Sequence, residues 1–493
     1  MKVMFIYSLE DTQSISKPLL SWTKIQFGIS YISSVLKADG HQTQLIILGS
    51  NNWWRDSVKQ VHAMMEEFSP QIICLTAVSS QYRFVKRIAS MIKLQWPDKY
   101  LILGGVHATL NPAEAMRDSF DAVCIGEGEY PTLELCRQIE ASGCPQGIAN
   151  LWVRSADGKI ERNAPRPFLQ NIDSLPFPDR TMWLSWMYDQ QGSELVVLLG
   201  RGCPYGCTYC SNHALKKAAP GKYVRFRSPE NIIKEVDFLH TTYPNCSRIF
   251  FEVESIALDR SWLMEFCKQL EAFNTTIDNS MSYGCNFRIS PQSINDKVFL
   301  ALKKANFYKV NIGLEAGSER IRREILKRDY SNKDFLDVAT MARKMGLKII
   351  IFNMIGLPSE TYADHMETVS LNRQCQPDGH YTGIFYPYPG TELYDMCIRE
   401  GLINTIIDDR LERKQPVIDS PYFSKPQIRK AYTWFNYHVY KGYKPLWWIL
   451  MRTFVNKARS NMVLNYLNCI IIHLPGLNYF RKKLSYLDSI PFS

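Results

Sequence analysis

Short apolar runs alternate with helical patterns over residues 1–150. Each run is rich in Val, Ile and Leu, and most are followed by a stretch with apolar residues at helical spacing. Apolar strands that alternate with helices are typical of a parallel sheet covered on both faces. The pattern therefore predicts a doubly wound, Rossmann-like α/β domain. Its strands are predicted at 3–7, 43–48, 71–78, 100–105 and 122–129.

The alternation stops over residues 151–190 and resumes over residues 191–400. The first segment contains APRPF and SLPFPDR, and this proline density predicts a surface connector with a small hairpin at 151–162. The second contains six βα-like units in one run, which predict a partial (β/α)6 barrel. Its strands are predicted at 195–200, 248–254, 281–286, 309–315, 347–356 and 382–387.

Residues 401–493 differ in composition and predict a helical, aromatic and basic C-terminal module. Eleven Lys and Arg and one acid lie between Pro421 and Ser493, so this stretch carries 11 − 1 = +10, the net charge of the whole chain. Interleaved aromatics and cations suit single-stranded nucleic acid, a membrane interface or a cap over the barrel mouth. No RNA-binding motif is present, so we expect no nucleic acid and favour a cap with some peripheral membrane contact. The cations that would face lipid are Lys441, Lys444, Arg452, Lys457 and Arg459.

The overall composition is that of a soluble globular protein, with 46% hydrophobic and 22% charged residues. No run of 18 apolar residues occurs, so we expect a cytoplasmic protein, with any membrane contact peripheral and at the inner face. The 13 cysteines are irregularly spaced, which argues against a disulfide framework. Metal or cluster ligation is the better interpretation of any tight group of cysteines.

The tightest group of cysteines lies in RGCPYGCTYC at 201–210. Cys203, Cys207 and Cys210 directly follow a predicted strand, at the end of a barrel strand where active sites lie. Three thiolates from one loop can hold three irons of a [4Fe–4S] cluster and leave the fourth iron open to a small molecule. A structural zinc site and coincidence are the alternatives. Zinc usually takes four ligands, and no second cysteine pair is nearby.

With Tyr209 before its last cysteine, this loop resembles the signature of radical S-adenosylmethionine (SAM) enzymes. Further segments resemble the cobalamin-binding branch of that family, in the same order, over about 390 residues. They are GGVHATLNPAEA (104–115), GEGEYPTLEL (126–135), FFEVESIALDR (250–260), GLEAGSERIRREILKR (313–328), IGLPSET (355–361) and YPYPGTELY (386–394). The branch includes cobalamin-dependent methyltransferases and bacteriochlorophyll-cyclase-like enzymes.

The resemblance implies roles for individual residues. The three cysteines would hold the cluster, whose open iron takes the amino and carboxylate groups of SAM. The residues implied to line the SAM pocket are Glu254, Arg288, Glu315 and Ser318. The chain departs from the family at Val253, where the first of two acids stands in the family motif. The alternatives are an interior salt bridge between Glu315 and Arg288, and an N-cap role for Ser318 on a helix predicted at 318–326.

For the N-terminal domain the resemblance implies cobalamin. The loop between Ser8 and Lys24 has no histidine, whereas many cobalamin domains ligate cobalt through a histidine in this loop. The residues expected to hold the cofactor follow the third and fourth strands, where doubly wound folds bind ligands. They are Thr76, Ser79, Ser80, Gly104 and Gly105. His107 is expected to shape its loop, and the alternative is a Rossmann-like domain that has lost its ligand.

Taken as a whole, the resemblance implies a cobalamin-dependent radical SAM methyltransferase. A 5′-deoxyadenosyl radical would take hydrogen from an unactivated carbon, and methylcobalamin would supply the methyl group. It also implies a small-molecule or lipid substrate and an electron donor such as flavodoxin or ferredoxin. A cyclase or rearrangement enzyme of the bacteriochlorophyll-cyclase type and a non-catalytic cobalamin or cluster-binding sensor stay open. A methylthiotransferase is disfavoured, since Cys74, Cys124, Cys136 and Cys144 do not form a second triad.

Overall fold

The computed structural model describes residues 1–459 apart from 11–13, 15, 20, 51–53, 189–193, 291–292, 404–407 and 409–410. Its first sheet consists of β1 (Lys2–Leu9), β2 (Gln42–Gly49), β3 (Ile72–Thr76), β4 (Tyr100–Gly104), β5 (Ala122–Cys124), β6 (Leu151–Arg154) and β7 (Ile160–Arg162). The strand order is β2-β1-β3-β4-β5-β6-β7, with β1 to β5 parallel and the last two antiparallel. The predicted hairpin at 151–162 therefore forms, and it extends the first sheet by pairing with the open edge of β5.

Helices cover both faces of this sheet. They are α1 (Phe27–Ala38), α2 (Trp54–Phe68), α3 (Tyr82–Gln95), α4 (Val106–Leu110), α5 (Pro112–Ala115) and α6 (Glu129–Ser142). Successive residues of β1 enter different cores, because side chains alternate across a strand. Val3 and Phe5 pack in the same core as residues of α1 and α6, whereas Met4 and Ile6 pack with residues of α2 and α3. The doubly wound α/β prediction is confirmed.

The second sheet is the predicted partial barrel. The strands from Glu194 onward are β8 (Glu194–Leu198), β9 (Gly200–Arg201), β10 (Arg225–Phe226), β11 (Arg248–Glu252), β12 (Ser282–Phe287), β13 (Phe307–Glu315), β14 (Lys348–Ile355) and β15 (Gly379–Ile384). Six of them form one parallel sheet in the order β8-β11-β12-β13-β14-β15, so each strand pairs with its neighbour in sequence. The short β9 and β10 form a separate antiparallel pair. All six carboxyl ends therefore lie at one rim of the barrel.

The remaining helices follow these strands. They are α7 (Asn212–Leu215), α8 (Pro229–Thr242), α9 (Arg260–Thr276), α10 (Asp296–Lys304), α11 (Asn332–Lys344), α12 (Tyr362–Cys375), α13 (Glu392–Arg399), α14 (Lys425–Tyr440) and α15 (Leu446–Arg459). The α-helix predicted at 318–326 is a π-helical turn over Ile321–Ile325 instead. Arg322 is fully buried in this turn, and its guanidinium donates to the carbonyls of Ala316 and Gly317. None of the described helices is long and apolar enough to cross a membrane.

Helix α14 of the C-terminal module packs on the outside of the barrel. Buried residues of α14, among them Ile428 and Phe435, share a core with Ile355 of β14, Val369 of α12 and Ile384 of β15. The helix thus covers the outer face of the edge strand, as a sixth barrel helix would. Helix α14 itself therefore does not close the barrel mouth. Earlier in the same module, Leu402, Ile403 and Ile418 pack with residues that follow the barrel strands, such as Leu357 and Phe385, so the expected cap stays a prediction. Residues 460–493 lie outside the described residues.

Candidate active site

The cysteine loop begins at the C-terminal end of β8, immediately after β9. Gly202 has a φ of +86°, and a Cβ there would come 2.2 Å from the carbonyl oxygen of Tyr223. Glycine therefore lets the loop run against neighbouring backbone. Cys203 and Cys207 are buried and Cys210 is half-buried. Burial raises the pKa of the Cys203 thiol to about 11, so binding of iron would have to displace its proton.

Two polar side chains contact the sulfur atoms. Arg288 donates from Nη1 to Cys207 Sγ at 2.8 Å, and its guanidinium lies 3.7 Å from the ring centre of Tyr205. The backbone N and the Nδ2 of Asn212 lie 3.5 and 3.6 Å from Cys210 Sγ. Cationic and amide donors stabilise the thiolate, which is the form that binds iron. The residues present therefore fit a [4Fe–4S] cluster held by the three cysteines.

The zinc alternative requires side chains that converge on a single ion. Within the described ranges of the chain, no three His, Cys, Asp or Glu side chains are arranged to hold one metal ion. The zinc alternative therefore gains no support. A cluster differs from a single ion in that each thiolate binds a different iron.

Two carboxylates lie at the end of β11, beside the cysteine loop. Glu254 Oε1 accepts a hydrogen bond from Asn212 Nδ2 at 2.9 Å. Glu252 accepts one from Asn286 Nδ2 at 3.0 Å, and burial, reinforced by the charge of Glu254, raises its pKa to about 7. Glu252 is not among the residues predicted from the sequence, although alternation along the strand puts it on the same side as Glu254. Val253, where the family has an acid, is buried in the core.

Glu315 is tied to the cysteine loop from the end of β13. Its Oε1 accepts a hydrogen bond from the Tyr209 hydroxyl at 3.2 Å and lies 3.3 Å from Arg328 Nη1. Tyr209 stands directly before the last cysteine of the loop. The alternative salt bridge between Glu315 and Arg288 is wrong, since Arg328 pairs with Glu315 and Arg288 contacts a cysteine sulfur. Arg328 carried no sequence signal beyond its place at the end of the 313–328 segment.

Ser318 is held in a different network. It is 2% exposed, and its hydroxyl donates to Asp364 Oδ1 at 2.6 Å, while Arg320 donates to the other oxygen of that carboxylate. Ser318 stands directly before the helical turn, and its carbonyl accepts from the backbone N–H of Arg322 at 3.0 Å. The bond shown for its hydroxyl is the one donated to Asp364, so the structure gives side-chain capping by Ser318 no support. The roles toward SAM of all four predicted residues stay predictions.

A cavity of about 380 Å³ lies between the C-terminal edge of the first sheet and the cysteine loop. The barrel side includes Arg201, Gly202, Tyr223 and Arg225, and the N-terminal side includes Thr76, Gly104, Gly105 and 126–129. Gly105 has a φ of +94°, and a Cβ there would come 2.7 Å from Thr76 Oγ1. A cavity of this size is in the range that cofactor sites occupy. Three of the five predicted cobalamin residues therefore face a space that suits an organic cofactor.

Ser79 and Ser80 are not among the residues that line this cavity. Ser79 Oγ lies 3.4 Å from His107 Nδ1, and Ser80 is buried. The His107 ring stacks on Tyr82 with centroids 3.8 Å apart, and burial lowers its pKa to about 4. This packing agrees with a structural role for His107. Several positions of the histidine-free loop, 11–13, 15 and 20, lie outside the described residues.

Ion pairs join the N-terminal unit to the cysteine loop across the cavity. Glu127 accepts hydrogen bonds from Arg201 and Arg225, each at 2.9 Å, and Glu129 accepts one from Arg201 at 2.6 Å. Burial alone would raise the pKa of Glu127, but the two guanidinium groups hold it below its ordinary value. We call these four residues the interdomain clamp. No periodicity in the sequence marks a pairing between residues more than 70 positions apart, so sequence reasoning missed it.

The sequence matches two family descriptions that correspond to the two halves of this site. Residues 25–135 match the B12 binding domain, and residues 197–371 match the Radical SAM superfamily. The first range contains all the residues of the N-terminal sheet and its helices that line the cavity except Phe5 of β1, and the second begins just before the cysteine loop.

Several known proteins are similar to this chain. An uncharacterized methyltransferase of Pyrococcus horikoshii is 28% identical over 441 residues, which cover 88% of this chain and 92% of that protein. The anaerobic magnesium-protoporphyrin IX monomethyl ester cyclase of Rubrivivax gelatinosus is 23% identical over 385 residues, or 74% of this chain and 65% of that one. The structure of the radical SAM methyltransferase TsrM from Kitasatospora setae, with cobalamin and a [4Fe–4S] cluster bound, has a similar fold. Its TM-score is 0.63 at 15% identity, over 81% of this chain and 75% of that one.

The matched domains and the geometry agree. The radical SAM domain takes a [4Fe–4S] cluster and SAM, and the B12-binding domain takes cobalamin. The three cysteines and the interdomain cavity are the places in this chain that fit them. The chain is therefore a radical SAM enzyme with an N-terminal B12-binding domain.

Proposed function

We propose that this enzyme is a methyltransferase that methylates an unactivated carbon of a small-molecule or lipid substrate. The observation that supports it is the interdomain cavity, because Arg201 and Gly202, directly before the first cysteine, and the carboxyl edge of the first sheet line one space. When bound, the cluster supplies the electron that cleaves SAM, and cobalamin carries the methyl group. The Pyrococcus horikoshii relative, which covers most of this chain, is described as a methyltransferase and supports the same class.

The residues around the loop would bind SAM and hold the loop in place. Glu254, positioned by Asn212, is suited to accept hydrogen bonds from the amino group of SAM. Arg288 keeps a positive charge beside the sulfur atoms. Tyr209 and Glu315 brace the last turn of the loop from the barrel interior. An electron donor such as flavodoxin or ferredoxin would reduce the enzyme before each turnover.

The test follows the methyl and adenosyl groups of SAM separately and requires no known substrate. The full chain is reconstituted anaerobically with iron, sulfide and hydroxocobalamin, reduced, and incubated with SAM that carries a deuterated methyl group. We expect mass spectrometry to find the label on cobalamin together with S-adenosylhomocysteine, and 5′-deoxyadenosine from slow uncoupled cleavage. Replacing the three loop cysteines by Ala should abolish iron binding and 5′-deoxyadenosine formation. Cys285→Ala, at a buried cysteine outside the loop, is the matched control.

The other outcomes separate the alternative functions. 5′-Deoxyadenosine without labelled cobalamin would contradict methyl transfer and favour a cyclase or rearrangement enzyme. Neither product, from protein that retains both cofactors, would favour a sensor. An unchanged iron content in the triple variant would contradict the assignment of the cluster to these cysteines.

A further inference from the structure

Helix α15 exposes a stripe of large apolar side chains. Leu446, Trp447, Leu450 and Phe454 are 58%, 69%, 47% and 63% exposed. Leu450 follows Leu446 and Trp447 by four and three residues, and Phe454 follows Leu450 by four, so all four lie on one side of the helix. We call these four residues the α15 stripe. Most large apolar side chains of the described residues are buried, so a continuous stripe of this kind indicates a surface that contacts something else.

The other side of α15 is already packed. Ile449 and Thr453 are 1% and 6% exposed, and Ile449 belongs to the core that α14 shares with the barrel. Trp448 is half-buried and meets the Tyr440 ring edge-on at 5.2 Å. The helix is therefore fixed in orientation by its buried side. The α15 stripe points outward as a consequence, and no internal packing of the described helices requires its apolar character.

The segment of the chain that carries the α15 stripe contains only positive charges. Residues 421–459 contain eight Lys and Arg and no Asp or Glu. Lys441 and Lys444 lie in the turn that leads into α15, directly before Leu446 and Trp447. A helix that combines exposed Trp, Leu and Phe with neighbouring cations and no acids has the composition of a helix lying in a membrane interface. Trp is favoured at that depth, and cations are attracted to anionic headgroups.

We infer that the α15 stripe docks the enzyme on an anionic lipid bilayer, with its apolar side chains in the headgroup region and its cations over the phosphates. The helix lies on the membrane and does not span it. A second copy of this chain would bring two strongly cationic surfaces together, so charge complementarity favours lipid over self-association. The inference concerns location alone and does not depend on the methyl transfer proposed above.

The experiment measures co-sedimentation of the full, reconstituted chain with vesicles. We expect binding to vesicles of equal parts phosphatidylglycerol and phosphatidylcholine at low ionic strength, weak binding to pure phosphatidylcholine, and release by about 0.5 M NaCl. The variant Trp447→Ser, Leu450→Ser, Phe454→Ser should bind at least tenfold more weakly. Leu94→Ser is the matched control, because Leu94 is 84% exposed on α3 of the N-terminal unit, and it should leave binding unchanged.

A second variant guards against a folding defect in the first. Lys441→Gln, Lys444→Gln leaves the apolar stripe intact and should weaken binding roughly tenfold or more at low salt, with no effect at high salt. Iron content and circular dichroism check that both variants are folded. Failure of the wild-type chain to bind the anionic vesicles, or equal binding by the serine variant, would overturn the inference. So would a wild-type dimer that the serine substitutions convert to a monomer, since a second copy would then cover the stripe.

Discussion

Glu252 is a carboxylate that the barrel holds in an unusual environment. Glu252 is the last residue of β11 and precedes Glu254 by two residues. Its hydrogen bond from Asn286 only partly offsets the loss of hydration on burial. Burial and the neighbouring charge together raise its pKa to about 7. Near neutral pH, this side chain therefore exchanges a proton within the site where SAM is expected. Because its pKa lies near neutral pH, Glu252 can either hold or release a proton beside the cysteine loop.

Replacing Glu252 by Gln is expected to remove a pH dependence of stability. The folded pKa of about 7 lies above the ordinary value of 4.5, so the folded chain binds this proton more tightly than the unfolded chain. The stability that this proton contributes is fully present below about pH 4.5 and is lost as the pH rises to about 7. The thermal midpoint of the cluster-free wild type should therefore fall relative to that of Glu252→Gln between about pH 5 and pH 7. Glu265→Gln, an exposed carboxylate on α9, is the control, and parallel profiles for wild type and Glu252→Gln would contradict the prediction.

The residues of the site differ in how far sequence could reveal them. The three cysteines were found because their ligand set is local and its spacing is itself the signal. Glu252 and Asn212 depend on which side chains meet when β11 comes beside the loop, and that proximity is not written in any short motif. The alternative pairing of Glu315 with Arg288 was wrong for the same reason. Glu315 and Arg288 both lie near the cysteine loop, but the fold places Arg328, and not Arg288, within ion-pair distance of Glu315.

Among the elements, the positions of the strands along the chain were the most predictable. Which element pairs with or covers each strand was the least predictable. Long apolar runs such as those of β1 and β14 carry a clear signal, because both faces of a parallel strand are buried. The place of the 151–162 hairpin at the edge of the first sheet, and of α14 outside β15, depends on which edges and faces are left uncovered. Periodicity shows that a face is apolar but does not show what covers it. The π-helical turn at 321–325 likewise forms around a buried Arg322, which helical periodicity does not indicate.

The contact between α14 and the barrel is built around two neutral histidines. His380 of β15 lies 3.1 Å from Asn436 Oδ1, and His365 of α12 packs against Phe435, with ring centroids 5.9 Å apart. Burial lowers the pKa of His380 to about 3 and that of His365 to about 4. Charging either ring would place a cation in an apolar contact. The position of α14 should therefore depend on pH.

Acid is expected to destabilise this contact, and His365→Phe should reduce the effect. The unfolded histidine takes a proton below about pH 6.5, while the folded one stays neutral down to about pH 4, so stability present above pH 6.5 is lost as the pH falls. At about pH 5, the protonation of His365 in the unfolded chain lowers the free energy of unfolding by ~2 kcal/mol relative to neutral pH. Thermal unfolding followed by circular dichroism at about pH 7 and pH 5 should show a smaller drop for His365→Phe than for wild type. His62→Phe, on α2 of the N-terminal unit, should drop as much as wild type, and an equal drop in all three would contradict the prediction.

At the scale of the whole molecule, the N-terminal unit and the barrel meet at one cavity and share one apolar core. The B12-binding domain supplies the residues around Thr76 and Gly105, and the barrel unit supplies Arg201 and Gly202, directly before the first cysteine. The interdomain clamp fixes one to the other at the point where Arg201 precedes the first cysteine by two residues. Its acids lie on the N-terminal unit, and its arginines lie on β9 and β10. A shift of the N-terminal unit would therefore move Arg201 and with it the start of the cysteine loop.

Removing the central cation of the clamp should loosen the two units from each other. Arg201→Met preserves much of the side-chain length but leaves the buried Glu129 without its partner, and breaking a buried ion pair costs about 3 kcal/mol or more. We expect denaturant unfolding of the variant to begin at lower concentration and to separate into two transitions, together with weaker retention of hydroxocobalamin. The double variant Arg201→Met, Glu129→Gln should recover part of the loss, because it removes the unpaired charge. Lys333→Met, which breaks an exposed pair with Asp337 on α11, should leave the denaturant midpoint unchanged, because an exposed ion pair contributes little to stability. A single transition at the wild-type midpoint in Arg201→Met would show that Arg201 does not hold the units together, and the pair between Arg225 and Glu127 and the shared apolar core would then maintain the cavity.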